Sequence, residues 1–238
     1  MKIKKQFLFR ILFYTLGIFI LYCEKANPTK KYEADITEFA VPRDALPFYK
    51  GKDLLPFWIE KKEMVQTRGF RYISKFQTTN QLNKQITNAD MEGNLSIVSF
   101  FFTHCSGICP RIIGNLQKVQ REYSKEKGIK LFSFSVTPDL DTPEVLEAYA
   151  GQRGIENTQW NLLTGSKSEI YKMARESFNA DTITPAEKKK GIGKNDFLHS
   201  ENVYLLDKNL YLRGIYNGRN PVSISELIQD IKTLRMEN

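Results

Sequence analysis

The chain has 238 residues, 41% hydrophobic and 26% charged, with a formal net charge of +8; this is enough apolar sequence for one domain with a substantial core plus extensions, and it argues against disorder. Lys2, Lys4, Lys5 and Arg10 precede the first acid, Glu24, so the rest carries only about +4, and its lysines are scattered apart from Lys188, Lys189 and Lys190, which argues against a nucleic-acid footprint. The only cysteines, Cys23, Cys105 and Cys109, are too few for a disulfide-stapled scaffold in a chain of this length.

The basic start is followed by the apolar run Ile11–Tyr22, ILFYTLGIFILY. It is short for a membrane span, which needs about 20 residues, and it fits the apolar core of a secretory signal. With Arg10 snorkelling, Phe7–Tyr22 is alternatively a short uncleaved anchor. Cys23 directly ends the run, a placement that resembles the lipobox of bacterial lipoproteins, whose cysteine is lipidated and becomes the mature N-terminus. Ile20 and Leu21 suit that pattern; Tyr22 departs from it, since a small residue is preferred there. Three readings stand: lipidation at Cys23, an uncleaved anchor, or an incidental cysteine. The first two tether the chain to a bacterial cell membrane, with the domain facing the periplasm or the outside, where disulfides are permitted. Residues 1–22 are thus read as signal peptide or short membrane anchor and 23–45 as a polar tether. Residues 46–75, with LPFYKGKDLLPFWI, are rich in proline and aromatics and read as an ordered but irregular extension packing on the domain.

Regular alternation begins near residue 95. Leu95–Phe102 is a continuous apolar run, expected of a central strand buried on both faces. Pro110 opens a helix carrying Ile112, Leu116, Val119 and Tyr123, and Gly128 ends the segment. Ile129–Val136 is the second strand. Thr142, Pro143 and Glu144 start a second helix with a capping hydroxyl, a first-turn proline and an early acid. Trp160–Thr164 is a short strand, and Ser166 with Glu169 forms a capping-box pair ahead of Ile170, Met173 and Phe178. Val203–Leu206 and Leu210–Ile215 read as a hairpin around Asp207-Lys208-Asn209. Ser223 and Glu226 are read as the cap of a last helix with Ile224, Leu227, Ile228, Ile231 and Leu234 on one face. The order β-α-β-α-β-α-β-β-α implies an α/β layer fold, and the closing hairpin and helix resemble the ending of a thioredoxin-like fold. The fold class is therefore α/β, a thioredoxin-like domain over 76–238 with an N-terminal extension and membrane tether.

Cys105-Ser106-Gly107-Ile108-Cys109-Pro110 lies where the first buried strand gives way to a helix. Open α/β sheets place ligands at such carboxyl ends, and a helix N-terminus favours thiolate over thiol. The pair is one residue longer than the redox CxxC. It can form a disulfide, or present two soft sulfurs to one metal, for which Cu(I) heads the candidates. The chain offers two histidines. His104 adjoins Cys105 and reads as shaping the site, with a ligand role as the lesser alternative. His199 precedes the hairpin strand, in the loop that lies beside the cysteine corner in a thioredoxin fold, and reads as the third ligand. The cis-proline that thioredoxin-type oxidoreductases place in that loop is missing: no proline falls between Pro185 and Pro221.

FFFTHCSGICP, SVTPDLDTPEVLEAYA and FLHSENVYLLD, in this order, resemble the Sco/SenC family of copper-binding proteins of cytochrome c oxidase assembly, from about Phe76 to the C-terminus. The resemblance implies a copper site made by Cys105, Cys109 and His199. It also implies anchored export and a role as a copper chaperone for the Cu(A) centre of cytochrome c oxidase subunit II. The alternative it carries is a thiol-disulfide oxidoreductase using Cys105 and Cys109 to reduce that subunit's cysteines. Many members have Pro-Asp where this chain has Ser106-Gly107, and a common aspartate is replaced by Thr137, while Asp141 matches its partner. A third reading, a thiol peroxidase, wants Thr-x-x-Cys, and Thr103 lies only two residues before Cys105.

Overall fold

The structure is a computed structural model that describes residues 45–59, 65, 69–180 and 200–237, together with the backbone of 36–37. The tether and signal segments, 1–22 and most of 23–45, lie outside these residues. Among the described residues no helix is long and apolar enough to cross a membrane.

The central sheet has seven strands, which in spatial order run 212–217 (β10), 202–206 (β9), 95–101 (β6), 129–135 (β7), 160–165 (β8), 77–80 (β4) and 85–87 (β5). Strands β6 (Leu95–Phe101), β7 (Ile129–Ser135) and β8 (Trp160–Gly165) are parallel neighbours. Strands β9 (Asn202–Leu206) and β10 (Leu212–Asn217) form the closing hairpin, antiparallel against β6. All seven residues of β6 are buried, as a strand covered on both faces requires. Its alternation divides the core. Leu95, Ile97 and Phe101 face α1 (Cys109–Glu122), α2 (Pro143–Arg153) and α4 (Pro221–Met236), whereas Val98 and Phe100 face α3 (Lys167–Phe178). The fold is thioredoxin-like, as the sequence predicts.

Helix starts follow the expected chemistry with two differences. Thr142 Oγ1 accepts from Val145 N–H at 3.4 Å and Ser166 Oγ from Glu169 N–H at 3.5 Å. Helix α1 begins at Cys109, one residue before Pro110, so the second cysteine belongs to the helix itself. Helix α4 begins at Pro221, capped by Asn220, whose Oδ1 accepts from Val222 N–H at 2.9 Å. Ser223, read as the cap from sequence, instead accepts Asn217 N–H at 3.1 Å and fastens the preceding strand.

The polar hairpin β4 (Gln77–Asn80) and β5 (Gln85–Thr87) was not expected; it closes one edge of the sheet through backbone pairing, with Thr78 and Ile86 turned inward. The segment read as irregular is also regular in part. Within it β2 (Phe48–Lys50) and β3 (Leu55–Trp58) pair antiparallel, and β1 (Ile36–Thr37), from the stretch read as a polar tether, pairs with β3 to complete a small sheet. Phe48 and Phe70 pack with Val65 and Tyr211, and Ile73 N–H donates to Leu210 O while Leu212 N–H donates to Arg71 O, joining this segment to the hairpin.

Candidate metal centre

The carboxyl end of β6 runs into Phe102–Ile108, a loop that delivers Cys105 half-buried and Cys109 buried, both as free thiols. Cys105 N–H donates to Phe102 O at 3.4 Å, and Arg111 and Ile112 N–H both donate to Ile108 O, so the loop turns directly into the first turn of α1. Burial is the largest influence on Cys105 and opposes its ionisation. It is outweighed by hydrogen bonds from the Cys109 side chain and from the N–H groups of Cys109, Gly107 and Ile108, which hold the thiol below its ordinary range. The unpaired amides of a helix N-terminus are doing what the sequence position implies. Cys109 goes the other way: burial first, then its contact with Cys105, pushes it up to about 12. The two sulfurs are thereby unequal: Cys105 gives up its proton more readily than Cys109.

A buried carboxylate, noted from sequence only as a family match, organises this corner. Asp141 is wholly buried. It accepts the hydroxyls of Ser135 at 2.5 Å, Thr137 at 3.0 Å and Thr103 at 2.5 Å, and also Thr103 N–H at 3.3 Å. It thus ties the end of β7 to the start of the cysteine loop. Thr137, read as the loss of an acid, donates to the remaining one. The available signal was a run of hydroxyl residues at strand ends, which has no meaning until the strands are paired in register.

Cys105 and Cys109 are brought together. His104 is exposed, with Nδ1 3.0 Å from Thr103 Oγ1. His199 lies outside the described residues, as does Cys23. Among the described residues no group of three or more histidines, cysteines or acids has metal-holding geometry. Two soft donors converge on one corner, which fits a soft metal ion wanting one more ligand.

A sequence model of SCO1/SenC matches residues 65–235. The SCO1 protein homolog of Bacillus subtilis (strain 168) is 29% identical over 163 residues, 68% of this chain and 81% of the homolog. A SCO1/SenC family lipoprotein from Bacillus anthracis str. Ames has a similar structure, with a TM-score of 0.60 at 30% identity, covering 69% of this chain and 95% of that one. BsSco, a Sco-family cytochrome c oxidase assembly protein with an identified disulfide switch, gives a TM-score of 0.60 at 26% identity, covering 71% and 95%. ScoI of Bradyrhizobium japonicum, solved with copper bound, shares the fold at a TM-score of 0.52 and 23% identity, covering 66% and 98%. With the matched family spanning the fold and the cysteine corner alike, the chain belongs to the SCO1/SenC family.

Proposed function

We propose that the chain is a membrane-tethered, extracytoplasmic copper chaperone. Cys105, Cys109 and His199 hold the ion, and its destination is the Cu(A) centre of cytochrome c oxidase subunit II. The supporting observation is the cysteine corner: two sulfurs in contact at a helix N-terminus, one held below the ordinary thiol range. Soft sulfur donors with an imidazole suit Cu(I), and the metal is cargo to be passed on. Tethering follows from the 1–22 segment and Cys23, in keeping with a relative that is itself a lipoprotein.

Copper titration of the reduced protein tests this reading. Cys105→Ser and Cys109→Ser should each abolish tight Cu(I) binding, and His199→Ala should weaken it by several kcal/mol, on the scale of metal-site energies. Oxidation to the Cys105–Cys109 disulfide consumes both sulfurs and should release the ion; equal affinity in both redox states rejects the site. Radiolabelled palmitate should enter the wild-type protein and fail to enter Cys23→Ala.

The unequal thiols also favour a second reading, disulfide reduction. The Cys105 thiolate would attack a partner's disulfide and form a mixed disulfide, expelling one partner thiolate. Cys109 would then lose its proton and attack Cys105 Sγ, releasing the second partner thiolate. Two electrons pass to the partner and the Cys105–Cys109 pair ends oxidised. His199→Ala should spare this reaction while lowering copper affinity, which separates the two readings.

A further inference from the structure

The hydrogen bonds around Asp141 fix more than the loop. A carboxylate only accepts, so the Thr103 hydroxyl hydrogen is committed to Asp141 Oδ1 at 2.5 Å. Thr103 Oγ1 also lies 3.0 Å from His104 Nδ1. With its own hydrogen spent, this oxygen can only accept there, so Nδ1 carries the ring's hydrogen. A neutral imidazole has one N–H, and Nε2 is therefore left with a bare lone pair. Among the described residues nothing bonds to Nε2, and the residue is exposed. A histidine with one nitrogen held by a buried carboxylate relay and the other open is arranged as metal-ligating histidines are. The next residue is Cys105.

From this geometry we infer that His104 Nε2 is a transfer ligand: it takes Cu(I) together with Cys105 while the ion enters or leaves the resident site, and Asp141 and Thr103 are its positioning residues. The inference rests on the copper reading above. A soft ion exchanges ligands readily when an incoming donor adds before an outgoing one leaves. An exposed imidazole beside the more accessible of the two sulfurs supplies such a donor, without being needed once the ion is seated.

Two measurements test it. In the metal-free, reduced protein, long-range ¹H–¹⁵N NMR should show His104 as the Nδ1–H tautomer, and Thr103→Val, which keeps the side-chain shape, should remove that preference. In stopped-flow transfer of Cu(I) from its bicinchoninate complex, His104→Ala should slow uptake by about tenfold, the low end of what losing a metal-site partner costs. Thr103→Val should slow it in the same direction, while equilibrium affinity falls far less than on His199→Ala. Unchanged uptake with copper binding intact overturns the transfer role alone. An affinity loss as large as that of His199→Ala makes His104 a resident ligand and also overturns it. A wild-type chain that takes no Cu(I) sinks the copper reading first and this inference with it, whereas the tautomer result stands independently of either.

Discussion

At the scale of single residues, burial sets the character of the ionisable groups, and hydrogen bonds decide which of them stay charged. Cys105 and Cys109 have the same chemistry four positions apart, yet the helix amides reach one and the core claims the other. Asp230 gives a pH-dependent case. Burial, with Glu226 adding to it, raises its carboxyl above the ordinary range, although it accepts the Tyr216 hydroxyl at 2.7 Å. A carboxyl raised in the folded state favours folding while protonated; that contribution is complete below the unfolded value of about 3.9 and is lost as pH rises through the folded value. Asp230→Asn keeps an oxygen for Tyr216 and never acquires the charge. Its urea midpoint should exceed that of the wild type at neutral pH, and the gap should close in acid below the ordinary aspartate range. A gap independent of pH would show that the carboxylate's charge is not the cause.

At the scale of elements, the closing hairpin depends on a glycine for room and not for conformation. A Cβ at Gly214 would lie 2.6 Å from Tyr216 Cζ and overlap its hydroxyl. The Tyr216 ring is buried and pinned to Asp230, and it folds back over the glycine two residues earlier, beside the irregularity in β10 between Leu212 and Gly214. Gly214→Ala should cost roughly 1–3 kcal/mol in urea denaturation, the usual scale of overpacking. Full stability in that variant would mean the ring swings aside freely. The same scale explains which elements were legible. Strands β6 and β7 announce themselves by runs rich in aliphatic and aromatic residues, and α1 by its 3.6-residue period. The β4–β5 hairpin does not, because at a sheet edge backbone pairing supplies the stability and polar side chains such as Gln77 and Gln85 can face water. The cap of α4 was misplaced by three residues because Asn220 and Ser223 both satisfy the local pattern, and only the path of β10 decides which oxygen meets the helix.

At the scale of the whole molecule, a buried ion cluster locks the N-terminal extension to the C-terminus. Arg213 donates to Asp207 at 3.2 Å, Glu237 at 2.6 Å, Leu46 O at 2.7 Å and Pro47 O at 3.0 Å, with its guanidinium 3.9 Å from the Phe48 ring centroid. Glu237 in turn accepts Leu46 N–H at 2.6 Å. Arg213→Met would take the guanidinium away from two largely buried carboxylates, Asp207 and Glu237, and should cost about 3–5 kcal/mol. Limited proteolysis should then cut within residues 46–59 faster than in the wild type; unchanged cleavage would remove the cluster from the docking of this segment. Leu95–Phe101, Ile129–Ser135 and the α1 repeat are local patterns, so the sequence alone determined the layer fold and, with it, the cysteine corner at the end of β6. The Asp141 hub and the Arg213 cluster were decided only in three dimensions. Thr103 and Asp141 are 38 residues apart and Leu46 and Arg213 are 167 apart. A buried charge is stable only where distant donors or counter-charges converge on it, and no local period records that convergence.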